Sequence, residues 1–124
     1  MKILFLGDVV GISGCTKLFD NLPIQIKQKK IDFVIVNGEN ADNSGVGLSK
    51  EICEKFFNCG VNVITSGNHV WDQKDIMKYI ENEDRLLRPK NLFEPAPGKG
   101  FKVYDMANNL KIGVLNLMGN VFMK

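Results

Sequence analysis

Phe33-Val34-Ile35-Val36-Asn37-Gly38-Glu39-Asn40 is a short, β-branched apolar run that halts at a glycine and then presents a carboxylate and an amide. A continuous apolar run of that length reads as a strand buried on both faces, the signature of a parallel sheet. The same order of residues stands on either side of it. Upstream, Ile3-Leu4-Phe5-Leu6 stops at Gly7-Asp8; downstream, Val61 to Thr65 stops at Ser66-Gly67-Asn68-His69. Helical stretches separate the runs. Gly11 and Gly14 open one that passes through Leu18, Phe19 and Leu22, with Pro23 expected to kink or restart it before Lys27, Lys29 and Lys30. Ser49 is placed to cap a second helix, which Gly60 stops. Asp72, followed by Asp75, is expected to cap a third. After a loop marked by Pro89, Pro95, Pro97, Gly98 and Gly100, strands are expected over about 101–106 and 110–117, with Asn108-Asn109 as the turn. The order βαβαβα followed by a β-hairpin predicts an α/β fold with a parallel sheet and right-handed crossovers.

Such sheets bind ligands outside the carboxyl ends of their strands. All three ends should therefore lie on one edge and bring together Asp8, Glu39, Asn40, Asn68 and His69. Two carboxylates in one pocket repel, so either their pKa values split or a cation holds them. The neighbouring Asn amide oxygens favour the cation, and a mixed oxygen and nitrogen set suits Mn²⁺, Fe or Mg²⁺, with Zn²⁺ as a further candidate. Taken singly, each residue has a plainer reading. Asp8 reads as a helix N-cap, Glu39-Asn40 as a solvated turn, Asn68 as a turn residue and His69 as a structural histidine. Turns alone do not require three successive strand ends that each carry glycine plus a ligand-type side chain. Trp71 reads as a packing residue beside the site.

Composition narrows the class further. The chain has 124 residues, a formal net charge of +2 and 44% hydrophobic residues, which suits one ordinary domain. That near-neutral balance argues against a protein that coats nucleic acid or a membrane surface. The opening apolar run ends at Gly7, too early for a secretory signal, and no segment is long enough to span a bilayer. Cys15, Cys53 and Cys59 form no CxxC pair and an odd total, so they are read as reduced thiols of a cytoplasmic protein. His69 is the single histidine, which excludes a His-rich site built from these residues alone.

The three loops follow the order of the calcineurin-like metallophosphoesterase motifs, and most closely resemble the YmdB-like branch. Its signatures GDVVG, NGEN and GNHxWD stand here as Gly7–Gly11, Asn37–Asn40 and Gly67–Asp72. Arg88-Pro89-Lys90-Asn91 and Pro97-Gly98-Lys99-Gly100 are also similar to that branch. The resemblance implies the N-terminal part of an α/β/β/α sandwich and a phosphodiesterase that hydrolyses substrates such as 2′,3′-cyclic nucleotides with a hydroxide activated by two metals. It implies two divalent ions, Fe or Mn foremost, with Mg or Zn as alternatives. By the same resemblance Asp8 is a ligand of the first metal, Glu39 bridges both, Asn40 is a further ligand of the first, Asn68 is a ligand of the second, and His69 is the catalytic acid. Val10 stands where the DxH motif has its His, and Asn40 replaces that ligand.

In that family further His ligands come from motifs on the C-terminal side, of the GH and GHxH type, and none stands in this sequence. Residues 1–124 are therefore expected to be an incomplete metallophosphoesterase domain, which ends after an apolar strand in Met118 to Lys124. Expected partners are a small phosphodiester or cyclic nucleotide, no membrane, and either a second copy of the chain or a C-terminal half. Two rival readings are a non-catalytic fragment that pairs through an exposed sheet edge and a Rossmann-type nucleotide binder built on Gly7, Gly11 and Gly14. Asp8 opposes the latter, since its carboxylate would repel a pyrophosphate at the helix N-terminus.

Overall fold

The computed structural model describes residues 1–93 and 95–121. The elements run β1 (Ile3–Leu6), α1 (Gly11–Lys29), β2 (Phe33–Asn37), α2 (Lys50–Asn58), β3 (Val63–Thr65), α3 (Ile76–Asn82), β4 (Leu86–Leu87), β5 (Phe101–Asp105), a 3₁₀ turn (Ala107–Asn109) and β6 (Lys111–Leu115). The first four strands form one parallel sheet in the order β1-β2-β3-β4, and β5 and β6 form a separate antiparallel pair. Leu6 pairs with Val36, Asn37 with Thr65 and Thr65 with Leu87, so the carboxyl ends of the strands stand level.

A monotonic strand order with right-handed crossovers puts every connecting helix on the same face. That face holds the larger core, where Val34, Val36 and Ile64 meet Leu18 and Leu22 of α1, Ile52 and Phe56 of α2, and Ile76 and Ile80 of α3. Phe56 is fully buried there and contributes about 1.5–3 kcal/mol by its burial. The alternate residues Phe33, Val63 and Leu87 face the hairpin and pack on Ile112 and Val114. Asn116, just past β6, fastens the hairpin to the sheet. Its buried Nδ2 donates to the carbonyls of Ser66 (2.8 Å) and Leu87 (2.9 Å), next to the site loops. Helix layer, parallel sheet and hairpin are thus three layers of the expected sandwich.

Several local expectations are corrected. β1 is not buried on both faces: Ile3 and Phe5 are exposed, because among the described residues β1 is an edge strand with a neighbour on one side only. Helix α1 continues through Pro23 as one element, and Lys30 ends it in the left-handed region at φ 53°. Asp72 does not cap α3; Asp75 occupies the cap position, makes no capping bond of its own, and accepts from the Lys50 backbone N–H at the start of α2. Ser49 does cap α2, accepting from the Ile52 N–H at 3.4 Å. The two-residue β4 carries no sequence signal, since two leucines are too short to show a period. The hairpin turn is a 3₁₀ turn with Asn109 at φ 59°, a tolerable angle for Asn. Phe122, Met123 and Lys124 of the expected tail lie outside the described residues.

Candidate active site

The loop after β1 is laced to the loop after β2. Val9 N–H donates to the Asn37 carbonyl (3.0 Å), Gly11 N–H donates to the Asn40 carbonyl (2.8 Å), and Val10 and Asn40 form an isolated parallel bridge. The third loop joins through Gly38 N–H, which donates to the Thr65 carbonyl (3.0 Å). This lacing holds Asp8 at φ 35°, a strained angle for a residue with a Cβ. Asp8 is not the N-cap of α1, because Val10 holds that position and makes no side-chain capping bond. Its exposed carboxylate instead accepts from Asn40 Nδ2 at 2.8 Å. That bond commits the Asn40 amide nitrogen and leaves its oxygen as the available donor to a cation.

Glu39 occupies the centre. A Cβ added at Gly67 would lie 1.5 Å from Glu39 Oε2. Gly67 is therefore glycine because the Glu39 carboxylate fills the space where any side chain would begin. The Asn68 backbone amide lies beside the same carboxylate and favours its charged form. Burial pushes the Glu39 carboxyl above the usual carboxylate range, the nearby Asp8 charge adds to the rise, and His69 and the Asn68 amide oppose it. His69 is half-buried, and its Nδ1 lies 2.7 Å from Asp72 Oδ2. With Nδ1 engaged by that carboxylate, Nε2 is the nitrogen left for proton exchange. The exposed Asn68 presents its side chain on the same loop.

The structure thus brings the three loops to one edge: Asp8 bonds Asn40, Glu39 seats against Gly67 and Asn68, and the charges of Asp8 and His69 both act on Glu39. Among the described residues, no cluster of three or more His, Cys, Asp or Glu side chains is arranged to hold a metal. A cation here would draw on two carboxylates and on amide oxygens, a hard donor set. Two features fit that reading. The Asp8 carboxylate is held where it raises the cost of the Glu39 charge. Asn37 Oδ1, at the end of β2, is buried and accepts no hydrogen bond from the described residues, a desolvation that costs about 1–3 kcal/mol unless some group offsets it.

Three contributors carry only faint signals in the sequence. Asp72 reads first as a helix cap, although its position three residues after His69 also signals a contact. Gly67 reads as a turn residue; only the position of Glu39 reveals its steric role. Asn37 reads as a strand stop. Trp71 packs partly buried against the main core, as expected.

The comparisons with known proteins concern this arrangement. Residues 4–124 match the model of the family described as YmdB-like protein. The chain is 42% identical over 123 residues to the 2′,3′-cyclic-nucleotide 2′-phosphodiesterase of Bacillus subtilis, covering 99% of this chain and 46% of that protein. It superposes on a crystal structure of a hypothetical protein from Thermus thermophilus with a TM-score of 0.91 and 34% identity, covering all of this chain and 47% of the other. A crystal structure of a novel phosphatase from Mycoplasma pneumoniae gives a TM-score of 0.86 and 40% identity, covering 96% and 43%. The chain spans somewhat under half the length of these relatives.

Proposed function

Because the chain belongs to the YmdB-like protein family, we propose that its strand-end loops are part of the active site of a metal-dependent phosphodiesterase, with 2′,3′-cyclic nucleotides as the substrate class. The observation that carries this reading is the Glu39 carboxylate seated against Gly67, with the Asn68 amide, Asp8 and His69 all close enough to act on its charge. Asp8, Glu39, Asn40 and Asn68 are the residues that would hold two divalent ions, iron or manganese. Bound there, such ions neutralise phosphoryl oxygens and lower the pKa of water. Asp8 and Asn40 supply a carboxylate and an amide oxygen already oriented by their mutual hydrogen bond. His69 holds the proton that the leaving alkoxide needs, on the nitrogen not engaged by Asp72. The name of the Bacillus relative supports the substrate class. No helix among the described residues is long and apolar enough to cross a membrane, and three free thiols fit a cytoplasmic setting.

The test is to graft residues 4–124 in place of the matching stretch of the Bacillus subtilis enzyme and follow hydrolysis of 2′,3′-cyclic AMP with Mn²⁺. The graft should turn over, and His69→Ala within it should lose about 10²–10⁴-fold in rate. A folded graft with no turnover, or one indifferent to His69→Ala, would contradict the proposal.

A further inference from the structure

The Asp72 carboxylate has one hydrogen-bond partner among the described residues, the His69 Nδ1. It is 43% exposed, and no other bond selects its rotamer. An aspartate left so free samples several staggered rotamers, of which only one meets the imidazole. The constraint on Asp72 comes instead from its stem.

That stem is wedged against the loop between β2 and α2. A Cβ added at Gly47 would lie 3.2 Å from Asp72 Cβ, 3.2 Å from Gln73 Cγ and 3.4 Å from Gln73 Nε2. Gly47 sits at φ 82°, a left-handed angle that glycine adopts readily. Gln73 closes the contact, its Nε2 donating to the Val46 carbonyl at 3.1 Å. Further along, Asp75 accepts from the Lys50 N–H at 3.0 Å. Residues 72–75 are thus tied to residues 46–50 at both ends. Gln73 is not needed to start α3, whose cap position belongs to Asp75.

The loop that receives Gln73 is stiffened by its own bonds. Asp42 N–H donates to the Gly47 carbonyl (3.0 Å), and Gly45 N–H donates to the Asp42 carbonyl (2.7 Å). The Asp42 carboxylate accepts from the Ser44 N–H (3.1 Å). At its start the same loop is laced to the first one, since the Asn40 carbonyl accepts from Gly11 N–H and Asn40 Nδ2 donates to Asp8. One segment, residues 39–47, therefore carries Glu39 and Asn40 at one end and braces the His69 loop at the other.

We propose that Gln73 is a positioning residue for proton transfer: its bond to the Val46 carbonyl seats the Asp72 stem against Gly47, which holds the Asp72 carboxylate where it orients His69. The catalytic consequence rests on the reading of His69 as the proton donor given above, whereas the orientation of the ring is measured without metal or substrate. The two can therefore fail separately.

His69 is the single histidine of the chain, so its ring nitrogens are assigned without ambiguity by nitrogen NMR. In alkaline buffer the neutral ring of the wild-type chain should carry its proton on Nδ1, facing Asp72. Gln73→Met keeps the length of the side chain but has no N–H to donate. It should shift the ring toward the Nε2–H tautomer with an unchanged circular dichroism spectrum. Gly47→Ala, which crowds Asp72 directly, should do the same. In the graft onto the Bacillus subtilis relative, Gln73→Met should lower kcat for 2′,3′-cyclic AMP about tenfold at unchanged KM, a fraction of the about 10²-fold that a misplacement of about 1 Å costs. It should spare a p-nitrophenyl diester, whose leaving group needs no proton, and should add nothing in an Asp72→Asn background. An unchanged tautomer in both variants, equal losses on the two esters, or a full further loss beside Asp72→Asn would overturn the proposal. A graft that is inactive, or indifferent to His69→Ala, would overturn the catalytic reading, and the tautomer measurement would still decide whether Gln73 positions the ring.

Discussion

Glu39 and Gly67 show how one missing side chain decides where another can sit. Gly67→Ala would place a methyl group 1.5 Å from Glu39 Oε2, so the carboxylate must leave its seat. The expected outcome is a folded protein whose Mn²⁺ affinity, read by calorimetry, falls by about 10–100-fold, the effect of disturbing the support of a ligand. Unchanged affinity would show that Glu39 is not held for a metal. Asp72 acts at the same scale. Asp72→Asn keeps the shape but removes the charge that orients the His69 Nδ1–H. If His69 protonates the leaving oxygen, the rate loss in the grafted enzyme should be larger for an alkyl phosphodiester than for a p-nitrophenyl one, whose phenolate leaves without a proton. These two roles mark the limit of sequence reading. Asp8, Glu39, Asn40, Asn68 and His69 were legible because each follows a glycine at a strand end. The Gly67 clash was not, because it depends on a side-chain position across two loops, and the Asp72 contact was masked by the plainer reading of Asp72 as a helix cap.

Elements outside the site hold it in place. Asn116 at the end of β6 donates to carbonyls at the ends of β3 and β4, and is itself buried. Asn116→Ala would leave those carbonyls without these bonds, so urea melts should show a loss of about 1–3 kcal/mol. Asp84 ties α3's exit to the hairpin. Lys102 and Lys99 beside it hold its carboxyl below the usual Asp range. A depressed folded-state value means that its stabilisation is complete above the ordinary Asp pKa and is lost as pH falls through the lowered one. Thermal melts should therefore drop more steeply below about pH 4 in the wild type than in Asp84→Asn. Because the carboxylate is half-exposed, solvent screening keeps the difference small. At this scale α1, β2, α2 and β3 were legible, since apolar patterning marks all four and the Ser49 cap marks the start of α2. β4 and the edge position of β1 were not, because pairing partners are fixed by the tertiary fold and leave no local pattern. The run Ile3 to Leu6 looks like a central strand in sequence and occupies an edge in these residues.

For the molecule as a whole, a layered arrangement with all three helices on one face leaves the carboxyl edge of the sheet as the level meeting place for the three polar loops. The central claim is that these loops together hold a divalent cation. The most direct measurement is a Mn²⁺ titration of the 124-residue chain followed by calorimetry or electron paramagnetic resonance, beside Glu39→Ala with the same circular dichroism spectrum. The account predicts saturable binding by the wild type that disappears in Glu39→Ala. Equal binding by both proteins, or none by the wild type at any attainable concentration, would contradict it.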